Sequence, residues 1–245
     1  MRTKEIIKNN KHRPWKIPNK KWKYYQEWNN AIFLHWKVDY NELKKFVPNE
    51  LEIDLVDQSP WVSLVAFTME KIRPRNLPAI STISNFDEIN IRTYVRYKGK
   101  AGVYFLNIEA GKRISSYLAK KISELPYSYS KMKRSKGQFI SKNNKLNDIF
   151  NAEYTIGDKI RKKDENDLWL TERYALFQNS KSYINEYDIH HIEWPVYEVN
   201  LKNTSIKYPK FSNLLTNSPD KRHYSTGVQV IAWGGRKHKT KIIKQ

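Results

Sequence analysis

One stretch of the sequence, residues 86–96, alternates polar and apolar side chains over most of its length. Side chains of a β-strand point to opposite faces at every second residue, so the alternation predicts a strand with one polar face. A guanidinium on such a face suits bidentate capture of a carboxylate. A long polar face lies either against water or around a polar cavity, and only a cavity would give an active site. The polar face carries Glu88, Asn90, Arg92, Tyr94 and Arg96.

A second set of polar residues, Glu172 and Tyr174, lies in residues 168–177, which we predict as another strand. From there, both side chains are expected to face the polar side of the first strand. Arg92 paired with Glu88 or Glu172 would be a buried ion pair, which needs complete hydrogen bonding to be tolerated. These groups fit a ligand site and a salt-bridge network that fixes the strand register equally well.

Three histidines are candidate metal or ligand contacts. His190 and His191 precede Glu193, but their spacing fits no helical zinc motif, and adjacent residues on a strand point apart. We therefore predict no metal site and expect His191 to pack against Trp194. His35 follows an apolar run and is predicted to be a hydrogen-bonded histidine near the mouth of the interior. The sequence has no glycine-rich phosphate loop and no serine in a nucleophile elbow, so no cofactor is expected.

The composition excludes several classes of function. The 245 residues suit one large β-rich domain and include no cysteine, which excludes disulfides, thiolate metal sites and a cysteine nucleophile. The basic N-terminus has no apolar segment of the kind that a secretory signal requires. No apolar stretch approaches the ~20 residues of a membrane helix. We therefore expect a cytoplasmic protein with no membrane partner.

The formal net charge of +20 is concentrated in residues 2–23, 131–145 and 236–244. Such charge attracts polyanions over long distances. Aromatic residues such as Trp15 and Trp22 interleave with the N-terminal charges, as on a surface that stacks bases and binds phosphates. A solvated lysine-rich surface explains the same pattern, so only nonspecific attraction to nucleic acid is expected. The oligomeric state is left open.

Short strands at fairly even spacing, with few helices between them, predict a closed or nearly closed antiparallel barrel. We divide the chain into a basic N-terminal extension (residues 1–27), a single domain (residues 28–235) and a basic C-terminal tail (residues 236–245). Helices are predicted at residues 41–46 and 115–124. The predicted strands are residues 31–38, 51–56, 61–69, 86–96, 103–108, 137–140, 153–156, 168–177, 196–201 and 227–233.

Several motifs, taken together and in order, resemble those of the YqjF-like family of bacterial proteins, a domain of unknown function. The likeness extends from about residue 28 to residue 233, nearly all of the chain. The motifs are His35-Trp36-Lys37-Val38, residues 61–67, residues 73–78, residues 86–95, residues 102–105, Leu125-Pro126-Tyr127, residues 170–174, residues 191–195 and residues 223–228.

That family looks like a branch of the acetoacetate decarboxylase-like superfamily. Residues 39–54 are similar to the first strand–helix–strand unit of the decarboxylase, and residues 113–121 are similar to the stretch that ends in its paired lysines. The resemblance implies a mainly β (α+β) fold, a cone-shaped antiparallel β-barrel with a central cavity and a few flanking helices. It also implies a Schiff-base nucleophile at Lys120, a neighbouring cation at Lys121 that depresses its pKa, and an active-site carboxylate at Glu88.

The sequence departs from the decarboxylase pattern, because Asn29 or Asn30 stands where an arginine is expected and a second carboxylate has no counterpart. Most lysine pairs also lie on solvent-facing surfaces. We therefore predict a pocket for a small anionic carboxylic or keto acid, and leave open whether the protein is an enzyme. One alternative is a decarboxylase or aldolase-like enzyme using Lys120, and another is a basic nucleic-acid-associated protein. The predicted ligand-binding residues are His35, Asn90, Arg92, Tyr94, Glu172 and Tyr174, with Glu88 and Lys120 as catalytic candidates.

Overall fold

The computed structural model describes residues 3–114, 125–180 and 182–240, which contain fourteen strands, four short helices and one 3-10 turn. The strands are β1 (Tyr24–Lys37), β2 (Glu52–Ile53), β3 (Trp61–Pro74), β4 (Phe86–Tyr97), β5 (Lys100–Ala110), β6 (Tyr127–Tyr129), β7 (Lys131–Ser135), β8 (Gln138–Asn143), β9 (Asp148–Lys159), β10 (Ala175–Ser180), β11 (Tyr183–His190), β12 (Val196–Lys207), β13 (Lys221–Ala232) and β14 (Arg236–Lys239). The helices are α1 (Thr3–Lys8), α2 (Tyr40–Lys44), α3 (Ser81–Ser84) and α4 (Glu165–Thr171), and the 3-10 turn is Pro209–Phe211.

The alternating residues 86–96 form most of β4, and a tight turn joins this strand to β5. β4 ends at Tyr97 and β5 begins at Lys100, so Lys98 and Gly99 form a two-residue hairpin loop. Both loop residues have positive φ angles, 50° and 78°. Two positive φ angles are typical of a type I′ turn, whose twist matches that of the paired strands. The predicted strand and its hairpin partner are confirmed, and each is longer than expected.

Seven strands form a ring-like sheet in the order β1, β3, β4, β5, β10, β11 and β13, and β13 pairs again with β1. The ring closes where Ile189 and His190 of β11 pair with Ala232 and Ile231 of β13. β5 and β10 are parallel, whereas the other neighbours in the ring are antiparallel. The predicted mainly β class with few helices is confirmed.

A second layer of strands, β12, β9, β8 and β7, continues from β13. Phe139 of β8 and Phe150 of β9 belong to the same apolar cluster as Ile89 and Ile91 of β4. The apolar face of β4 is therefore buried in the cluster to which this second layer contributes. Because successive side chains alternate across a strand, the polar face of β4 lies on the inner side of the ring.

The strand predicted over residues 168–177 is wrong in its first half, where α4 (Glu165–Thr171) lies instead. A capping box begins this helix. The Asp164 side chain accepts a hydrogen bond from the backbone of Asp167, and the Asp167 side chain accepts one from the backbone of Asp164. These bonds satisfy N–H groups that the first turn of a helix leaves unpaired. Glu172 therefore lies at the C-terminal end of a helix.

The basic terminal segments pack against the ring. Ile6 of α1 is 1% exposed, and β14 pairs with β11. The predicted domain limit between residues 27 and 28 falls inside β1, and residue 236 is the first residue of β14. The helix predicted over residues 115–124 lies outside the described residues. Among the helices that are described, none is long and apolar enough to cross a membrane.

Candidate functional site

The polar face of β4, apart from Arg96 at its end, is buried within the ring. Glu88, Asn90 and Tyr94 are at most 4% exposed, and Arg92 is 8% exposed. The pairing of β4 with β5 shifts in register between Ile91 and Arg92. Irregularities of this kind redirect side chains and occur often beside functional sites. The face that the alternation identified is therefore sheltered from bulk water.

Arg92 is a buried cation with no acidic partner among the residues that the structure describes. Its Nη2 donates one long hydrogen bond, 3.4 Å, to the carbonyl oxygen of Leu170, and its Nε has no acceptor within the described part of the chain. The guanidinium lies 5.7 Å from the ring centroid of Phe33 and 6.0 Å from that of Tyr94. Such cation–π contacts stabilise a desolvated cation by about 0.5–2 kcal/mol, less than its burial costs. The side chain thus keeps donor capacity for an anionic group.

Glu88 lies at the far end of the same row. Its Oε2 accepts a hydrogen bond of 2.9 Å from the hydroxyl of Tyr127. Burial raises the pKa of Glu88 to about 7, although hydrogen bonds from Tyr127 and Asn90 oppose the rise. A large fraction of this carboxyl group is therefore protonated at neutral pH. The predicted ion pair between Glu88 and Arg92 is not among the contacts of the described chain.

Ser63 links His35 to Tyr94. The distance from His35 Nδ1 to Ser63 Oγ is 2.6 Å, and the distance from Ser63 Oγ to the Tyr94 oxygen is also 2.6 Å. The Tyr94 hydroxyl donates at 2.9 Å to the carbonyl oxygen of Leu170, the same atom that Arg92 contacts. Burial, followed by the effect of neighbouring positive groups, lowers the pKa of His35 well below its usual value. His35 is therefore a neutral, fully buried histidine.

A second histidine, His223, extends this chain of hydrogen bonds towards the surface. Its Nδ1 lies 3.1 Å from His35 Nε2, and its Nε2 lies 2.9 Å from Asp167 Oδ1. Asp167 also accepts from Lys221 Nζ at 2.6 Å. Burial alone would raise the pKa of Asp167, but hydrogen bonds from His223 and Lys221 hold it well below its usual value. The side chains of Lys221 and Asp164, which pair at 2.7 Å, are 28% and 60% exposed.

Glu172 and Tyr174 belong to a separate cluster. Glu172 accepts from Lys163 Nζ at 2.6 Å and from the Tyr174 hydroxyl at 2.7 Å. It also accepts from the backbone N–H of Trp194 at 2.9 Å. A carboxylate with a cation and two further donors has its charge and lone pairs satisfied. The approach of Glu172 to Arg92 that the sequence suggested is therefore replaced by pairing with Lys163.

The neighbouring histidines contact backbone carbonyls. His191 packs at 5.5 Å from the ring of Trp194, as predicted, and its Nδ1 lies 2.7 Å from the carbonyl oxygen of Ile192. His190 Nε2 lies 2.8 Å from the carbonyl oxygen of Ile6. Within residues 3–114, 125–180 and 182–240, no three His, Asp or Glu side chains converge in a way that would hold a metal ion.

Lys120, the nucleophile implied by the resemblance, lies outside the described residues, and so does Lys121. Schiff-base chemistry at Lys120 therefore stays a prediction. The interactions of Arg92, Glu88 and His35 described above involve neither lysine.

A second buried arginine, Arg173, lies 4.8 Å from the ring centroid of Tyr94. Its Nη1 donates to Asp54 at 2.7 Å, and its Nε donates to the carbonyl oxygen of Trp169 at 2.8 Å. Arg96, the last polar residue of the β4 row, points to solvent and donates to the same Asp54 carboxylate at 2.8 Å. Two arginines therefore surround Asp54, and Arg173 is the buried one.

Sequence reasoning missed several polar residues that complete this site. A lone serine among the apolar residues of one strand face, in residues 61–69, was the available signal for one of them. The other contacts join segments far apart in sequence, such as His35 with His223, 188 residues away. No pattern among neighbouring residues in the sequence indicates such a contact. The missed residues are Asp54, Ser63, Tyr127, Asp167, Arg173 and His223.

Comparison with known proteins places the chain in a family. Residues 25–229 match the family DUF2071, described as "Uncharacterized conserved protein (COG2071)". The chain is 34% identical over 229 residues to the uncharacterized protein YqjF of Bacillus subtilis (strain 168), which covers 90% of this chain and 95% of that relative. The YqjF-like resemblance is thereby confirmed.

Solved structures with low sequence identity share the fold. An acetoacetate decarboxylase from Legionella pneumophila superposes with a TM-score of 0.62 at 16% identity, covering 95% of each chain. The enduracididine biosynthesis enzyme MppR, complexed with pyruvate, superposes with a TM-score of 0.60 at 10% identity, covering 92% of this chain and 93% of that one. The protein therefore belongs to the YqjF-like DUF2071 family and has an acetoacetate decarboxylase-like fold.

Proposed function

We propose that the protein binds a small anionic carboxylic or keto acid inside the ring, and that Arg92 receives the carboxylate. The observation that supports this most strongly is the state of Arg92, which is 8% exposed, has no acidic partner among the described residues and has an unbonded Nε. A buried charge without a partner lowers stability, so a protein that keeps one has a reason other than stability to do so.

The energetics of Arg92 favour an anionic ligand. Its hydrogen bond to the Leu170 carbonyl, at 3.4 Å, is at the long limit for such a bond. A carboxylate that accepts from Nε and Nη2 together would form the bidentate pair for which a guanidinium is shaped. Such a ligand would compensate the buried charge, so binding would relieve an unfavourable feature of the free protein.

The neighbours of Arg92 suit a keto acid. The Tyr94 hydroxyl meets Arg92 at the Leu170 carbonyl, so it is a second donor within reach of the same ligand. The ring of Phe33 supplies an apolar wall. Glu88, with a pKa near 7, is largely neutral just below that pH and then repels an anion only weakly. The related fold of MppR has been seen complexed with pyruvate, which makes pyruvate a reasonable first probe.

Thermal unfolding in the presence of ligands tests this proposal. The probes are pyruvate, acetoacetate and acetate at 10 mM, with acetone and acetamide as uncharged counterparts. A dissociation constant of about 1 mM would stabilise the folded protein by about 1.4 kcal/mol. That corresponds to a rise in Tm of roughly 3–5 °C for a chain of this size. The uncharged compounds are expected to give no rise.

Three variants separate Arg92 from general charge effects. Arg92→Met is expected to abolish the rise in Tm, and Arg92→Lys to reduce it, because an ammonium cannot form the bidentate pair. Arg161→Met removes one positive charge from an exposed position and is expected to leave the rise unchanged. The proposal is contradicted if no carboxylate stabilises the wild-type protein, or if Arg92→Met responds as the wild type does.

A further inference from the structure

An unbroken chain of hydrogen bonds connects the protein surface to the Arg92 site. It begins at the pair of half-buried Lys221 and exposed Asp164 and ends at the Leu170 carbonyl. Each inner contact measures between 2.6 and 3.1 Å. In order inward, its side chains are Asp164, Lys221, Asp167, His223, His35, Ser63 and Tyr94.

When the Tyr94 hydroxyl donates to the Leu170 carbonyl, the count of protons fixes the direction of every bond from Tyr94 out to Asp167. A carbonyl only accepts, so the Tyr94 hydroxyl uses its proton on Leu170. The 2.6 Å contact between Tyr94 and Ser63 then needs the Ser63 proton, because two oxygens this close repel without one. Ser63 must therefore accept from His35 Nδ1–H. His35, which is neutral, then accepts at Nε2 from His223.

His223 must carry two protons in this arrangement. Its Nδ1–H donates to His35, and its Nε2–H donates to the carboxylate of Asp167. We call this arrangement the acid form. The acid form is an ion pair between the His223 imidazolium and Asp167, with Lys221 as a second cation on the same carboxylate.

Loss of the Nδ1 proton from His223 reverses the three bonds that link His223, His35, Ser63 and Tyr94, whereas His223 Nε2–H still donates to Asp167. His35 then donates from Nε2 to His223 and accepts at Nδ1 from the Ser63 hydroxyl. Ser63 in turn accepts the Tyr94 proton, so Tyr94 no longer donates to Leu170. We call this arrangement the neutral form. The three contacts between His223 and Tyr94 suit both forms, because each joins two groups that can exchange the roles of donor and acceptor. The 2.9 Å contact between Tyr94 and the Leu170 carbonyl is a hydrogen bond in the acid form alone.

We propose that this chain is a proton relay, and that it makes the Tyr94 hydroxyl the proton donor to the carboxylic or keto acid bound at Arg92. This inference rests on the proposed function for the identity of the acceptor, whereas the coupling within the chain does not. Tyr94 and Arg92 converge on the Leu170 carbonyl, so a ligand oxygen held by the guanidinium lies within reach of the hydroxyl.

The transfer balances without any other reagent. Tyr94 gives its proton to a basic atom of the ligand and takes the Ser63 proton in return. Ser63 takes the proton from His35 Nδ1, and His35 Nε2 takes the one from His223 Nδ1. The chain is then in the neutral form, and the proton that the ligand has gained is balanced by the one that His223 has lost.

The charged surroundings of the relay support these roles. Burial, His223 and Arg92 together lower the pKa of His35, so His35 passes a proton on without holding a second one. The only carboxylates that the described residues place along the relay, Asp167 and Asp164, lie at its outer end. The charged and titratable groups that face the relay are Arg92 of β4, Asp164 and Asp167 at the start of α4, Arg173 after α4, and Lys221 and His223 of β13.

Long-range nitrogen–proton NMR spectra of histidine rings test the coupling in the ligand-free protein. These spectra distinguish the two neutral tautomers from the imidazolium. We expect His35 to change from Nδ1–H to Nε2–H as the pH rises, with the same midpoint as the loss of a proton from His223. A His35 that keeps one tautomer while His223 titrates would overturn the relay, and so would a His35 that becomes doubly protonated.

Variants at the two ends of the relay sharpen the test. Tyr94→Phe leaves the Ser63 hydroxyl without an acceptor in the acid form, so the shared midpoint is expected to fall by about one pH unit or more. Asp167→Asn removes the anion but keeps an acceptor oxygen, and it should lower the midpoint as well. Tyr104→Phe, which removes a hydroxyl bonded to Asn179 outside the relay, is the matched control and should not move it. An unchanged midpoint in both relay variants contradicts the proposal.

Saturating pyruvate tests the final donor. An anion that accepts from Tyr94 stabilises the acid form, so the midpoint is expected to rise in the wild-type protein and to stay constant in Arg92→Met. If pyruvate binds without moving the midpoint, Tyr94 is not the donor. If no carboxylate binds, the proposed function fails, and the ligand-free titration still decides whether the relay exists.

Discussion

Two buried arginines contact the ring of Tyr94, and their hydrogen-bond partners differ. Arg173 donates to the Asp54 carboxylate at 2.7 Å and to a backbone carbonyl at 2.8 Å. Arg92 has, among the residues that the structure describes, a single 3.4 Å bond to the Leu170 carbonyl. Both are at least nine-tenths buried. The difference between them is the presence of a carboxylate, and it separates an arginine that stabilises the fold from one that is available to a ligand.

The largest effect is expected when the buried ion pair between Arg173 and Asp54 is broken. Arg173→Met leaves the buried Asp54 with only the more exposed Arg96, and we expect the free energy of unfolding to fall by about 4 kcal/mol. Arg92→Met replaces a cation that no described carboxylate compensates with an apolar side chain, and we expect a change below about 1 kcal/mol. Urea denaturation of both variants checks the contrast. Equal losses in the two variants would remove the distinction between the two arginines.

Glu88, the acid at the other end of the Arg92 row, gives the next largest effect. Its pKa in the folded protein is about 7, against an ordinary value of 4.5. The folded protein therefore binds more protons than the unfolded chain between these values, so stability falls as the pH rises from about 4.5 to about 7. The loss amounts to about 3 kcal/mol.

Glu88→Gln should remove this dependence, because an amide does not titrate. The measurement is the free energy of unfolding of wild type and variant at several pH values from 4.5 to 8. The difference between the two proteins is expected to grow across this range in favour of the variant. A difference that stays constant with pH would show that Glu88 titrates normally.

The Glu172 cluster tests whether a buried charge that has an oppositely charged partner stabilises the fold and does not bind the ligand. Glu172→Gln weakens the pair with Lys163, and we expect a loss of about 2 kcal/mol, as for a charged hydrogen bond. The rise in Tm with pyruvate is expected to persist, because the cluster is separate from Arg92. If a folded variant lost that rise, Glu172 would contribute to ligand binding after all.

The smallest effect is expected at Arg96, the exposed partner of Asp54. Its side chain is 45% exposed, so solvent screens the pair and the loss in Arg96→Met should stay below about 1 kcal/mol. Compared with Arg173→Met, this variant measures how much burial matters for two arginines that share one carboxylate. A loss as large as that of Arg173→Met would contradict the ranking.

The sequence predicted the elements whose signal is local. The alternation of residues 86–96 identified β4 and its polar face, because the strand period is a property of neighbouring residues. It did not show that both faces are buried, since the second layer that covers β4 comes from residues such as Phe139 and Phe150. α4 was missed although both acids of its capping box, Asp164 and Asp167, are visible in the sequence.

The site itself was predicted only in part, for a similar reason. Arg92, Tyr94 and His35 were identified as polar groups in strands. Whether an arginine is compensated depends on a partner that can lie anywhere in the chain, and Asp54 is 119 residues from Arg173. Local pattern therefore finds candidate charges, and only the fold distinguishes those that are satisfied from those that are not.

The most direct test of the role of Arg92 follows the Nε–H signals of the two buried arginines by NMR while pyruvate is added. The Arg92 signal is predicted to move downfield and to saturate, because its unbonded Nε–H acquires a carboxylate acceptor. The Arg173 signal, whose Nε–H already donates to Trp169, is predicted to stay in place. An Arg92 signal that does not respond to pyruvate, acetoacetate or acetate would contradict the claim that Arg92 is the receptor for a carboxylate.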